Sequence, residues 1–195
     1  MKVRQKQLVV PVRVPWMIDP ATPCLRLSAS ESATDSAVEV KFIAHFALES
    51  SMPHDLGHTE AAISCSPYDS NKKLGPAGGP YQLVRVRFAQ GIAVRMLPNH
   101  SDDEAVDLDE YDFSKLSHQI QRGQQIEDWL RDFQNEWLHS GICPNPKMYE
   151  VKDSFWLREV AGESKEVGHY LLCGHDAHVE VVAKDWEWAS EGSLR

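Results

Sequence analysis

The sequence predicts an α+β fold: a mostly antiparallel β-sheet packed against one long α-helix, in the order β-β-β-β-α-β-β-β. Three observations predict it. Apolar residues alternate with polar ones in several separate stretches, which is the period of a half-buried strand. One stretch alone, 112–140, carries a sustained helical period. The links within each group of strands are short, which favours antiparallel pairing over parallel crossovers. The 195 residues, 42% hydrophobic and 25% charged, suit a single domain spanning 1–195.

Leu8, Val10, Val12 and Val14 alternate with Val9, Pro11 and Arg13, a first strand whose proline argues for an edge position. The small polar run 28–36 reads as a surface loop. Residues 37–49 are the clearest strand, with Val38, Val40, Phe42, Ala44, Phe46 and Leu48 on one side. Residues 50–80 are irregular and end in Gly75-Pro76-Ala77-Gly78-Gly79-Pro80. Val84, Val86 and Phe88 then alternate with Arg85 and Arg87. Ala89-Gln90-Gly91 links them to Ile92, Val94 and Met96, which reads as a hairpin.

The helix is predicted over 112–140. Leu116, Ile120, Gly123, Ile126, Leu130, Phe133 and Trp137 recur at three or four residues, along one face. Asp112 is placed to cap its start, and Gly141, Pro144 and Pro146 to stop it. Gly123 costs about 1 kcal/mol of helix propensity, and a close strand approach would compensate. Beyond the helix, 154–160, 167–173 and 177–188 read as an antiparallel meander, with a tight turn at Gly174-His175-Asp176.

The net charge of −9 is unevenly spread. Residues 1–95 hold eleven Lys/Arg against eight Asp/Glu, and residues 96–195 nine against twenty-one. Such a balance repels a phosphate backbone and disfavours nucleic acid as a partner. Arg85, Arg87 and Arg95 make a modest basic patch, better matched to the chain's own acidic half. No apolar run reaches membrane-spanning length, and the broken N-terminal apolar stretch does not read as a signal peptide. The expectation is a cytoplasmic protein whose four scattered cysteines are free thiols.

Four groups of residues could carry chemistry. His169, Cys173, His175 and His178 are zinc-type ligands, the first three of one strand parity, although their spacing fits no established zinc pattern. A hairpin with polar turn groups and a buried cysteine is the plainer reading, and no cofactor is expected. His54 and His58, with Glu60 nearby, are four apart, but Pro53 and Gly57 oppose a regular helix. Glu127 and Gln134 fall within the wide apolar face of the helix, where a half-buried carboxylate would titrate high; the plainer reading puts both at its wet flank.

The fourth group is Asp102, Asp103, Glu104, Asp107, Asp109 and Glu110, with Asp112 beyond. It lacks the glycine of a calcium-binding loop. It reads either as a solvated loop or as a docking face for a cationic protein. Trp186 and Trp188 share a strand face, with Trp156 on a preceding strand, and close a core or contact a partner.

No nucleophile elbow or phosphate loop occurs. The expected function is therefore non-enzymatic binding of a basic protein partner through an acidic surface, an inhibitor or immunity protein being one concrete form. A metal-dependent enzyme using the His169 group, and a structural subunit of a larger assembly, are the competing classes.

Overall fold

The computed structural model describes residues 6–21, 25–32, 35–47, 81–98, 110–117, 120 and 123–192. Among them run β1 (Gln7–Pro11), β2 (Trp16–Ile18), β3 (Arg26–Ser32), β4 (Asp35–Phe46), β5 (Tyr81–Pro98), β6 (Tyr111–Asp112), α1 (Ile126–Ser140), β7 (Met148–Lys152), α2 (Phe155–Ala161), β8 (Gly168–Cys173) and β9 (Ala177–Gly192). One curled sheet holds all the strands, in the order β2-β4-β5-β9-β8-β7-β1-β6, with β3 also paired to β4. Every pairing is antiparallel except β1 with β6.

The curl follows from where the apolar residues go. Trp16 and Ile18 of β2, Val40 and Phe42 of β4, Val86 and Phe88 of β5, Val179 and Val181 of β9, Leu172 of β8 and Met148 of β7 form one buried cluster. Strands far apart in the sheet can share a core only if the sheet bends round on itself. The segment 7–18 completes the bend. Its first part pairs with β7 and its last part with β4, while Val12 N–H donates to Met148 O and Ile18 N–H to Pro146 O, both at 3.1 Å. Pro11 falls beyond the two residues of β1 that β6 covers, so its missing donor breaks no β6 bond.

On the outer face, Val9, Tyr111, Tyr149, Val151, Leu171 and Cys173 form a second cluster, covered by Phe113 and Leu116. Strand β8 and residues 179–183 of β9 are therefore buried on both sides. The third cluster is small: Phe133 and Trp137 of α1 with Cys143, against Met17, Ala47 and Trp129.

The single long helix is corrected. Helix α1 has 15 residues and starts at Ile126. Gly123, expected inside it, adopts a left-handed φ of 88° upstream, with no neighbouring atom within 4 Å of an added Cβ. It ends the helical period backwards instead of admitting a strand. Asp112 belongs to β6, and its Oδ1 accepts the Ser114 N–H at 2.9 Å, a local turn in place of a helix cap. A second helix replaces the strand expected at 154–160. Ser154 caps it, its Oγ accepting the Leu157 N–H at 2.9 Å, and Gly162 ends it. The expected hairpin at 89–91 is a β-bulge within one 18-residue strand: Gln90 has φ 50°, and β5 runs on beside β9. The turn at 174–176 stands as expected. No described helix is long and apolar enough to cross a membrane.

Candidate functional site

The most elaborate polar arrangement is centred on Glu180. The run Val179-Glu180-Val181-Val182-Ala183 is apolar toward both faces save for this one carboxylate, which is 0% exposed. A buried charge is tolerated only with partners, and neighbouring strands supply them. Arg95 lies directly opposite on β5 and donates from Nε to Oε2. Tyr111 of β6 donates its hydroxyl to Oε1. On β8, His169 Nε2 is 3.2 Å from Oε1, but poorly aligned for a hydrogen bond.

The chain of contacts continues outward. His169 Nδ1 is 2.8 Å from Ser154 Oγ. That oxygen also accepts the Leu157 N–H; with the His169 proton on Nε2, facing Glu180, the Ser154 hydroxyl would donate to Nδ1. The Trp156 ring stands edge-on to His169 at 5.2 Å and carries the Arg95 guanidinium at 4.4 Å over its face. Gln7 Oε1 accepts the Phe155 N–H at 2.9 Å, tying β1 to the start of α2.

Burial works against the Glu180 charge, yet His169, Arg95 and Tyr111 outweigh it and hold the carboxyl down at about 2. Burial pushes the Tyr111 hydroxyl well up, and the facing carboxylate pushes it further. Burial also opposes the Arg95 charge, but Glu180 overcomes it and raises the guanidinium. Ser154, His169 and Glu180 thus form the sequence of groups found in an acyl-transfer triad. Their burial gives it another meaning. Ser154 is 2% and His169 1% exposed, so neither is presented to solvent. The group is a polar clamp joining β5, β6, β8, β9 and the start of α2.

The residues expected to bind zinc are dispersed. His169 serves the clamp. Cys173 sits in the outer apolar cluster, its thiol pushed up to about 12 by burial. His175 is exposed in the turn, against Asp176. His178 is half-buried opposite Cys173. Among the described residues no three His, Cys, Asp or Glu side chains are grouped to hold a metal. Cys143 and Cys173 are free thiols.

Asp102, Asp103, Glu104, Asp107 and Asp109 lie outside the described residues, as do His54, His58 and Glu60. Glu110 is half-buried, and its carbonyl accepts the Gln7 N–H at 2.9 Å. The basic patch meets the acidic half. Arg85 lies 3.4 Å from Glu191 and 3.6 Å from Glu39, Arg87 3.7 Å from Glu187, and Arg95 holds Glu180. Trp186 packs on the inner core, and Trp188 meets Trp16 edge-on at 6.0 Å. Trp156 stands on α2, not on a strand.

Helix α1 presents the other surface of interest. Gly141 ends it in the left-handed region, its N–H donating to Trp137 O at 2.8 Å. Trp137 Nε1 donates to Pro15 O at 3.1 Å, and Phe133 and Trp137 are its two buried residues. The apolar stripe continues past them to Leu130 and Ile126, which are 39% and 55% exposed. Glu127, Asp128, Asp132 and Glu136 are all exposed around it, and Arg131, the helix's only Lys or Arg, lies 2.7 Å from Asp128. Glu127 is therefore a surface group, and Gln134 is half-buried.

Comparison of the chain with protein-family models, with curated proteins and with solved structures gives no match.

Proposed function

We propose that this protein is a non-enzymatic binding protein that engages a basic protein partner through an acidic surface. The observation that carries the reading is the exposed surface of α1. It joins four exposed carboxylates to the uncovered Ile126 and Leu130 on a helix whose charge is −3, counting Glu127, Asp128, Asp132 and Glu136 against Arg131. Carboxylates steer a cationic partner toward the surface, and apolar side chains give the encounter something to bury. Asp102, Asp103, Glu104, Asp107, Asp109 and Glu110 are the second acidic stretch that the proposal includes. An inhibitor or immunity-type protein that neutralises a cationic toxin or nuclease is one form this function takes.

Two variants test it by quantitative capture from a lysate of the source organism at low and high salt. One carries Glu127→Lys, Asp128→Lys, Asp132→Lys and Glu136→Lys; the other carries Asp103→Asn, Asp107→Asn and Asp109→Asn. The wild type should enrich a protein of high isoelectric point, with a yield that falls as salt rises. Rim charges contribute roughly 0.2–1 kcal/mol each, so the fourfold reversal should cut capture by about fivefold or more and flatten its salt dependence. An identical captured set for wild type and both variants refutes the proposal.

A further inference from the structure

Strand β5 is flanked on both sides for only half its length. Its first part lies between β4 and β9, with Ala37 opposite Ala89 as the last pair toward β4. Ser36 Oγ donates to Gly91 O at 3.2 Å and marks the end of that contact. From 92 to 98 the strand pairs with β9 alone, and among the described residues no backbone group satisfies its other edge. This edge is apolar: Ile92 is 50%, Met96 42% and Leu97 39% exposed. Soluble proteins protect open edges with charge, proline or a covering element because a bare edge recruits another strand.

We propose that this edge pairs with the same edge of a second copy of the chain, antiparallel, about a two-fold axis at Val94. In an antiparallel ladder, residues directly opposite share a face, so a two-fold axis normal to the sheet must pass midway between the two copies of one residue. Three residues can serve, and the side chains choose between them. An axis at Arg95 sets two guanidinium groups directly opposite, like charge on like. An axis at Ala93 leaves Met96 opposite Gln90 and Leu97 beyond the pairing. An axis at Val94 sets Ile92 opposite Met96 twice, on either side of the Val94 pair, and Arg95 opposite Ala93. Val94 already packs against the inner core, so the pairing extends that core from one copy into the other. Arg95 keeps Glu180 and needs no partner across the axis.

The pairing also suits the bulge. Gly91 and Ile92 occupy the irregularity against β9, between the pairs at Gly91 and Ala93. A bulge increases local twist, which sets the edge beyond it apart from the part paired with β4. Dimerisation through this edge is independent of the acidic surface on α1.

Light scattering coupled to gel filtration, across roughly 1–200 μM protein, tests the proposal; this range suits a small interface with few anchors. The wild type should move toward twice the 22.0 kDa chain mass as concentration rises. Ile92→Lys with Met96→Lys alters only exposed side chains and should stay folded and monomeric throughout. Val94→Cys fixes the register. Opposite residues lie about 4.5–5.5 Å apart between Cα atoms, within disulfide range, so mild oxidation should give a covalent dimer. Ala93→Cys should not, and wild type supplies the background from native thiols. A wild type that stays at 22.0 kDa at every concentration overturns the proposal, as does a dimer that survives both lysines or an Ala93→Cys that crosslinks as well as Val94→Cys.

Discussion

Replacing Glu180 with Gln removes one charge at the centre of the clamp and little else in shape. Lowering a carboxyl from 4.5 to about 2 on folding corresponds to about 3 kcal/mol of stability at neutral pH. Breaking a buried pair by removing one partner typically costs about 3–5 kcal/mol. The low end applies here because the Arg95 side chain is 39% exposed and can hydrate when its carboxylate is gone. The sign of the pH dependence follows from the depressed pKa. The stabilisation is fully present above about 4.5 and is lost as pH falls from there toward 2. The difference between wild type and Glu180→Gln should therefore be about 3 kcal/mol at pH 7 and shrink toward zero near pH 2. Urea unfolding followed by tryptophan fluorescence at several pH values measures it. In a chain of this length it corresponds to roughly 6–12 °C in Tm at neutral pH. Glu187→Gln, at a largely exposed carboxylate, should change stability by under about 0.5 kcal/mol. A Glu180→Gln deficit that stays constant from pH 7 to pH 2 would sink the assignment of Glu180 as an ionised, clamp-forming group.

Three further outcomes follow from the same packing. Phe133→Ala should destabilise the protein by about 3 kcal/mol or more by opening a cavity under α1, whereas Leu130→Ala, at a partly exposed position, should cost under about 1 kcal/mol while weakening partner capture; chemical unfolding beside the capture assay separates the two effects. Cys143 and Cys173, each pushed up to about 12 by burial, should resist a thiol reagent at pH 8 in the native protein and react at once in denaturant, as absorbance of the released chromophore would show. Elemental analysis of untagged protein should give zinc well below one equivalent per chain, with no change in Tm on chelation; stoichiometric zinc would revive the metal-dependent reading of His169, Cys173, His175 and His178.

Strands were legible where one face is wet. The alternation at 37–49 and 81–88 gave β4 and the first half of β5 because Glu39, Lys41, Arg85 and Arg87 mark the outer side. Boundaries failed where one residue carries the decision. Gly123 fits an apolar stripe by spacing, but its backbone takes the left-handed region and sets the helix start downstream. Ser154 and Gly162 bracket a short helix where a strand was expected at 154–160. Gly91 resembles a hairpin glycine and is a bulge, a choice made by the long partner β9. The clamp had one visible signal: Glu180 stands in a run apolar to both faces, so it had to be buried and paired. Arg95, Tyr111 and Ser154 could not be named with it, because strand order decides which distant residues face position 180.

Charge pairing along the sheet supports the proposed role of α1. The cations of β4 and β5 are engaged across the strands: Lys41 lies 2.9 Å from Glu191, Arg85 reaches Glu191 and Glu39, and Arg87 reaches Glu187. Arg95 is committed to Glu180. These contacts cancel charge locally and leave the outer strand surface nearly neutral. They cannot cancel an excess of nine carboxylates over the whole chain. The excess must reside where Lys and Arg are scarce, and α1 is such a place, with one Arg beside four acids. A surface field of that sign reaches about one Debye length, near 8 Å at physiological salt. A basic partner would feel it on approaching α1. Leu130 and Ile126 are exposed on the same helix, in line with its buried Phe133 and Trp137, so one element offers both the apolar contact and the steering charge.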